Sequence, residues 1–412
     1  MRFNNEGLVL RRLNYLATLI ALLSYFAAIL TYYRIFYILV ALAFCLSLYF
    51  VWAGFMKNPG LSRKGRPLLI FYAYLGITAF WAEYPGQTLT TVAVFSIFLV
   101  LWALFFLLKW NYDEFEVIQL FRYVPYVVAI TYIYLGLRFG GIRPYDLDTA
   151  DSIGATANSG ALWLIASLPF ILCLVRRGDK RVRWELVLAC FLIVVSESRA
   201  GYLLAVSCFV ADMYLHRASL RRFVTDMMRY AILVLALVGF AWCLPVTRPL
   251  IEDGFSRAVL TSTEDAAAAD IERLAMFQVG WESFREHPLL GIGYDNVGPL
   301  VEDAYGVKIV SHNLLVTLIA EAGWPGFILF VWVMWTFFKK TTGAMASGGE
   351  NNRGFYQACI VSMVVSLAAG MAHPLLGFPM FYVVLGLGYA AAGERATAIV
   401  PIVPYRPVLR LA

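Results

Sequence analysis

Charge is what this chain most lacks. Of its 412 residues only 15% are Asp, Glu, Lys or Arg, while 61% are hydrophobic. An ordinary soluble domain is nearer a quarter charged and half apolar, so no soluble domain of usual size can be cut from it. No basic patch is interleaved with aromatics, which sets nucleic acid aside as a partner. The formal charge of +6 is read instead as membrane topology. The six cysteines (Cys45, Cys173, Cys190, Cys208, Cys243 and Cys359) all fall in apolar segments without metal-ligand spacing. They read as buried thiols and say nothing of compartment. Internal repeats of the inverted-transporter kind and low-complexity tracts are both missing. No obvious cleavage site follows Met1–Arg12, so the first apolar run reads as a transmembrane helix rather than a signal peptide.

What remains is an all-α polytopic membrane protein, one transmembrane domain over residues 1–412. Runs able to cross ~30 Å of hydrocarbon as roughly 20 helical residues fall at 13–33, 35–55, 67–83, 88–108, 119–137 and 159–175. They continue at 184–197, 200–215, 229–248, 312–338, 355–372 and 376–392. That gives about twelve spans, the seventh and eighth short and joined by a tight turn. Pro325 is expected to kink the tenth, because it removes a backbone bond and clashes with the preceding turn. Lysine and arginine mark the cytoplasmic side. With both termini inside, only nine of the 33 basic residues stay outside, Arg143, Arg199 and Arg273 among them. Three polar stretches then face outward: the 138–159 loop, the Ser196–Gly201 turn and a long loop at 249–311 between spans 9 and 10.

The long loop carries its own helical signals. A helix is expected to start at Ser262 or Thr263, with Glu264 and Asp265 in its first turn. Ile271, Leu274, Trp281 and Phe284 give it an apolar stripe near 3.6-residue spacing, and Pro288 closes it. Gly291-Ile-Gly293 makes a turn, and a second short helix is expected over Asn296–Tyr305.

Several polar residues on this outer face invite chemistry. Arg199 in its tight turn is an interface arginine or an anion ligand. Arg273 is a solvated helix-face residue or a second such ligand. Two guanidiniums meeting on one face bind phosphate or diphosphate oxygens bidentately. His312 opens the tenth span at headgroup level, where an imidazole can take a proton from a hydroxyl; the alternative is a capping histidine. His373 lies in a short outer connection and could line the same cavity, whereas His287 reads as a helix end and His216 as a bland inner residue. Asp146-Leu-Asp148, with Asp151, is a weak metal motif better read as a solvated loop. Glu321, inside the tenth span, is either functional or a hydrogen-bonded packing group.

Taken in order, Ser196-Glu-Ser-Arg199-Ala-Gly201, Arg273, Glu286-His-Pro-Leu-Leu-Gly291-Ile-Gly293, His312-Asn313 and Glu321-Ala-Gly323 form a series. It resembles the O-antigen ligase and polymerase superfamily. The resemblance implies a GT-C-type glycosyltransferase of the bacterial inner membrane, inverting, without metal or cofactor, with its active site on the periplasmic face. Its partners would be an undecaprenyl diphosphate-linked glycan donor, the lipid A–core acceptor and membrane lipids. By motif position the resemblance puts the diphosphate on Arg199 and Arg273 and the essential histidine at His312; Asn313, Glu321, His373 and Arg143 stand beside them as second-tier candidates. An O-antigen polymerase or protein O-oligosaccharyltransferase shares the late motifs, and the ten-residue gap between Arg143 and Gly154 keeps the polymerase open. From another class, a lipid-linked sugar flippase would place charges at midplane in both halves, whereas here the cations gather at one face.

Overall fold

The longest apolar run of the described chain folds into one continuous helix. The structure, a computed structural model, describes residues 60–139, 157–196, 198–215, 220–243, 248, 264–306, 313–347, 350–371 and 373–391. In chain order the helices are α1 (Gly60–Ile77), α2 (Pro85–Asn111), α3 (Glu114–Ile118), α4 (Val124–Phe139), α5 (Ala157–Arg176), α6 (Val182–Val195) and α7 (Arg199–Leu215). Next come α8 (Leu220–Cys243), α9 (Glu264–Glu286), α10 (Val297–Tyr305), α11 (Leu314–Val316), α12 (Gly323–Ser347), α13 (Glu350–Ala369) and α14 (Pro379–Ala390). Short 3₁₀ turns join some of them, and no strand occurs among the described residues.

Pro85–Lys109, within α2, is long and apolar enough to cross a bilayer by length and composition. Shorter apolar helices cover Gly160–Arg176, Ala200–Leu215, Met227–Phe240 and Pro379–Ala390. The expected spans 13–33 and 35–55 lie outside the described residues. The tenth expected span is not one helix. It breaks into α11, a π-helical segment Thr317–Glu321, and α12 beginning at Gly323. Pro325 does not kink it, because it stands in the first turn of α12, where a missing N–H has no intrahelical partner to lose.

Two buried helices organise the core. All twelve residues of α14 are buried, and α14 packs along α2, with α12 and α13 beside it. The middle of α5 is likewise buried from Ala161 to Cys173, with α6, α7 and α13 around it. α13 joins the two halves: Ser362 Oγ donates to Ala166 O of α5 at 2.6 Å. On the other side, Tyr382 of α14 meets Tyr72 of α1 hydroxyl to hydroxyl at 2.5 Å. Glycine allows the closest approach. A Cβ at Gly386 would stand 2.4 Å from the carbonyl oxygen of Trp102, and one at Gly388 2.1 Å from the Phe337 ring.

The ends of the bundle differ. One end is stitched by ions: Lys109–Glu114 at 2.7 Å, with Tyr356 on the same carboxylate, Arg122 on Glu185 and Asp179, and Arg176 on Asp212. Because neighbouring helices alternate in direction, the other end collects the start of α2, the start of α7 and the close of α13. That end carries the candidate residues.

The Gly386→Ala variant should lower stability by about 1–3 kcal/mol, the usual cost of overpacking a closed core. Thermal unfolding of the purified protein in detergent reads this. Gly178→Ala, at an open positive-φ site (φ 87°) with nothing within 4 Å, should cost less.

Candidate functional site

Two short glycine turns hold this end together. Gly291 and Gly293 have φ of 71° and 98°, and Gly323 has φ of 63°. Side chains are also excluded by contact: a Cβ on Gly291 would meet the carbonyl of Glu321 at 2.4 Å, and one on Gly323 the carbonyl of Leu289 at 2.5 Å. The widened π-turn leaves carbonyls of the Thr317–Glu321 segment free of intrahelical donors. Ile292 N donates to Ala320 O and Gly293 N to Glu321 O, both at 3.0 Å. The motifs Gly291-Ile-Gly293 and Glu321-Ala-Gly323 are thus two halves of one joint.

The Glu321 side chain completes it. The residue is fully buried, and its two carboxylate oxygens accept from Asp295 N at 3.0 Å and Val297 N at 3.1 Å. This holds the turn that enters α10 together with its first residue, Val297, whose N–H lacks an intrahelical acceptor. Glu321 thus makes the hydrogen bonds that one of its two sequence readings expects.

The turn after Gly293 is then pinned to α2. Asp295 is the one non-glycine residue with positive φ among those described, at 62°. Its carboxylate accepts from Gln87 Nε2 at 2.7 Å and Thr91 Oγ1 at 2.6 Å. Asn296, fully buried, donates to Thr88 Oγ1 and to Tyr294 O, and accepts from Tyr84 N at 2.7 Å. Tyr84 also donates its hydroxyl to Asp303 of α10. That hydrogen bond, with the charge behind it, pushes the Tyr84 phenol up to about 12, so it stays a donor. Burial raises the Asp295 carboxyl above its ordinary value, while the Thr91 and Gln87 hydrogen bonds act the other way. Sequence reading missed this network. Its one visible signal was Gln87, Thr88, Thr90 and Thr91, a polar cluster opening an otherwise apolar span.

A second tie lies at Asn313. It caps α11, its side chain accepting from Leu315 N at 2.9 Å and Val316 N at 3.2 Å. The same side chain donates to Met371 O at 2.9 Å, and Leu314 N donates to Gly370 O at 2.7 Å. The turn closing α13, with half-buried His373 two residues beyond Met371, is therefore brought beside the chain at Asn313.

The remaining candidates fall as follows. Arg199 is the first residue of α7, after Ser198 Oγ accepts from Gly201 N at 3.2 Å across the turn. Arg273 is exposed on α9, and His287 is exposed just past the end of that helix. His312, Arg143, Asp146, Asp148 and Asp151 lie outside the described residues. The helix expected in the long loop is present, but its packed face differs. Leu274 and Trp281 are exposed; Ala275, Met276, Gly280 and Ser283 turn inward instead, Gly280 closely enough that a Cβ would meet Val316 at 2.5 Å. Small residues allow that approach, so the larger apolar side chains are left outside.

This end of the bundle is therefore a helical scaffold joined by glycine turns, of the kind the ordered motifs led one to expect. Residues 184–331 match the family model described as O-antigen ligase. The match takes in the α6–α7 turn, α9, the glycine joint and Asn313, and it supports membership of the O-antigen ligase family, a family of integral membrane proteins. A comparison with curated proteins finds no match.

Two substitutions test the joint. Glu321→Ala strands two buried N–H donors and should cost on the order of 3 kcal/mol, seen as a lower unfolding temperature and faster proteolysis within 287–306. Asp295→Asn keeps an acceptor for Gln87 and Thr91. Because folding raises the Asp295 pKa, its stabilising contribution is full at low pH and lost as pH rises through the folded value. The asparagine variant should unfold at a temperature that varies less between about pH 4 and pH 8, and should equal or exceed the parent at the upper end.

Proposed function

We propose that this protein is an O-antigen ligase: a metal-independent, inverting glycosyltransferase that moves a glycan from undecaprenyl diphosphate to the lipid A–core oligosaccharide. The observation that carries the reading is the family match over 184–331, which spans every motif of the ordered series from Arg199 to Glu321. Its enzymatic, ligase or polymerase character is what that family implies. The donor, the acceptor and the residue roles are this proposal's own.

The reading puts the protein in the bacterial inner membrane, in a GT-C-type arrangement of about twelve spans, with both termini cytoplasmic and the site periplasmic. The clustering of outer-face cations in the sequence supports that orientation. So does the ion-paired opposite end, where Lys109, Arg122 and Arg176 fall on the basic-rich side.

In the reaction an acceptor hydroxyl oxygen attacks the anomeric carbon, and the bond from that carbon to the diphosphate oxygen breaks. Undecaprenyl diphosphate leaves with the electron pair. Arg199 and Arg273 bind it, and fixed cations stabilise the leaving group most as the bond breaks. His312 takes the hydroxyl proton from the opposite side of the sugar, a contribution typically worth 10²–10⁴ in rate. The glycine joint and Asn313 hold the segments that flank these residues.

Reconstituted with lipid-linked donor and lipid A–core, the protein should transfer glycan in the presence of excess chelator. Loss of activity on chelation, restored by manganese or magnesium, would overturn the metal-free reading and promote Asp146 and Asp148. His312→Ala should abolish transfer with donor binding intact, and the parent's rate should fall on acidification, since only neutral imidazole accepts a proton. Arg199→Ala and Arg273→Ala should each lose most activity, with lysine recovering part of it because a point charge lacks the bidentate fork. The lipopolysaccharide of a deletion strain separates the neighbouring reading. Lost core attachment with intact lipid-linked polymer marks a ligase; attachment of single repeat units marks a polymerase.

A further inference from the structure

The outward stripe of α9 is exposed, and its chemistry is specific. At about 100° per residue, Leu274, Phe277 and Trp281 fall within roughly 60° of one another. Arg273 and Arg285 border that sector on its two sides, and Gln278 and Glu282 lie beyond Arg285. All of these residues are exposed, Leu274 at 68% and Trp281 at 59%. A narrow apolar sector between two arginines is the pattern of a helix lying in a membrane surface, its apolar side among acyl chains and its cations at the phosphates.

The stripe is also continuous with a second one. Trp281 packs on Phe284 (centroids 5.7 Å apart), and Phe284 packs edge-on against Trp324 of α12 (6.4 Å). From Trp324 the exposed side chains of α12 run through Ile328, Val331, Trp332 and Trp335, all within about 100° of the helix circumference. In a membrane protein that face meets lipid. Because α12 starts at Gly323, Trp324 stands at its end, with Trp281 joined to it through Phe284, and Trp332 and Trp335 follow further along the same face.

We propose that α9 is an interfacial helix: it lies on the bilayer surface at the end where α12 begins, with Leu274, Phe277 and Trp281 immersed in lipid. Arg273 and Arg285 then stand at phosphate level, flanking it. This deepens the functional reading, since a lipid-linked diphosphate is presented at that depth. It rests on the membrane part of the reading, not on glycan transfer, so the test reads lipid exposure and no enzymatic activity.

The experiment uses the full chain in nanodiscs of phosphatidylethanolamine and phosphatidylglycerol, in a C45S/C243S background. Single nitroxide labels go on Phe277→Cys, Trp281→Cys and, as control, Glu282→Cys. Collision with oxygen, which concentrates in lipid, is compared with collision with a water-soluble nickel chelate. Oxygen should prevail at 277 and 281 and the nickel chelate at 282. Nickel access at 277 and 281 equal to that at 282 would put the helix in water and overturn the proposal. Protection from both reagents would overturn it too, revealing a protein contact such as a second copy of the chain. Should one labelled variant fold poorly, Leu274→Cys carries the same reading.

Discussion

A buried carboxylate that accepts one backbone N–H from the turn before another helix and one from that helix's first residue is the constraint on which this end of the molecule depends. Glu321 can do this only because the chain around it is irregular. A regular helix through 312–338 would have turned its carbonyls into its own ladder, leaving none for Ile292 and Gly293. The π-turn releases them, Gly323 restarts the helix at a left-handed backbone angle that favours glycine, and Gly291 lets the two backbones touch. Remove any one of these and the others lose their purpose. The joint also explains why a proline just past the break is harmless: the helix that Pro325 belongs to has only begun.

From that joint the order spreads outward. The turn holding Asp295 and Asn296 reaches the start of α2, so the segment between α9 and α10 is fixed to a helix more than 200 positions earlier in the chain. Asn313 then ties the approach to α11 to the close of α13. Arg273, on α9, thereby inherits a fixed position from Met276 and Gly280, which pack at Val316 and Ala320 around the same break. A residue offered as a diphosphate ligand needs such a mount, because a flexible arginine loses in entropy much of what it gains in contact.

Much of this was legible in the sequence, for physical reasons that differ from element to element. Apolar runs announce helices whether or not they cross a membrane, and the glycines at 291 and 293 announced a turn. The face of α9 was misread because apolar size was taken as the signal for packing. Here close approach through Gly280 and Ser283 decided it, and small residues leave little trace in a hydrophobic pattern. The tenth span was read as continuous because a π-turn has no composition of its own. The Asn296–Thr88 and Asp295–Gln87 pairs could not be read at all, since nothing local links residues so far apart. The candidate roles of Arg199 and Arg273 came from motif order rather than from any physical signal of pairing.

The burial of α14 has a consequence for how the protein is made. Ribosomes deliver the chain from its N-terminus, so α2 enters the membrane long before α14 exists. Until then Trp102, Phe105 and Phe106 face the slot that Gly386 will later occupy, and that slot has to be filled by lipid or by a helper protein. The nascent protein therefore spends most of its synthesis with an open centre, and α14 must be threaded between helices already inserted. A truncation anywhere before residue 379 would leave not a shorter bundle but one without its middle.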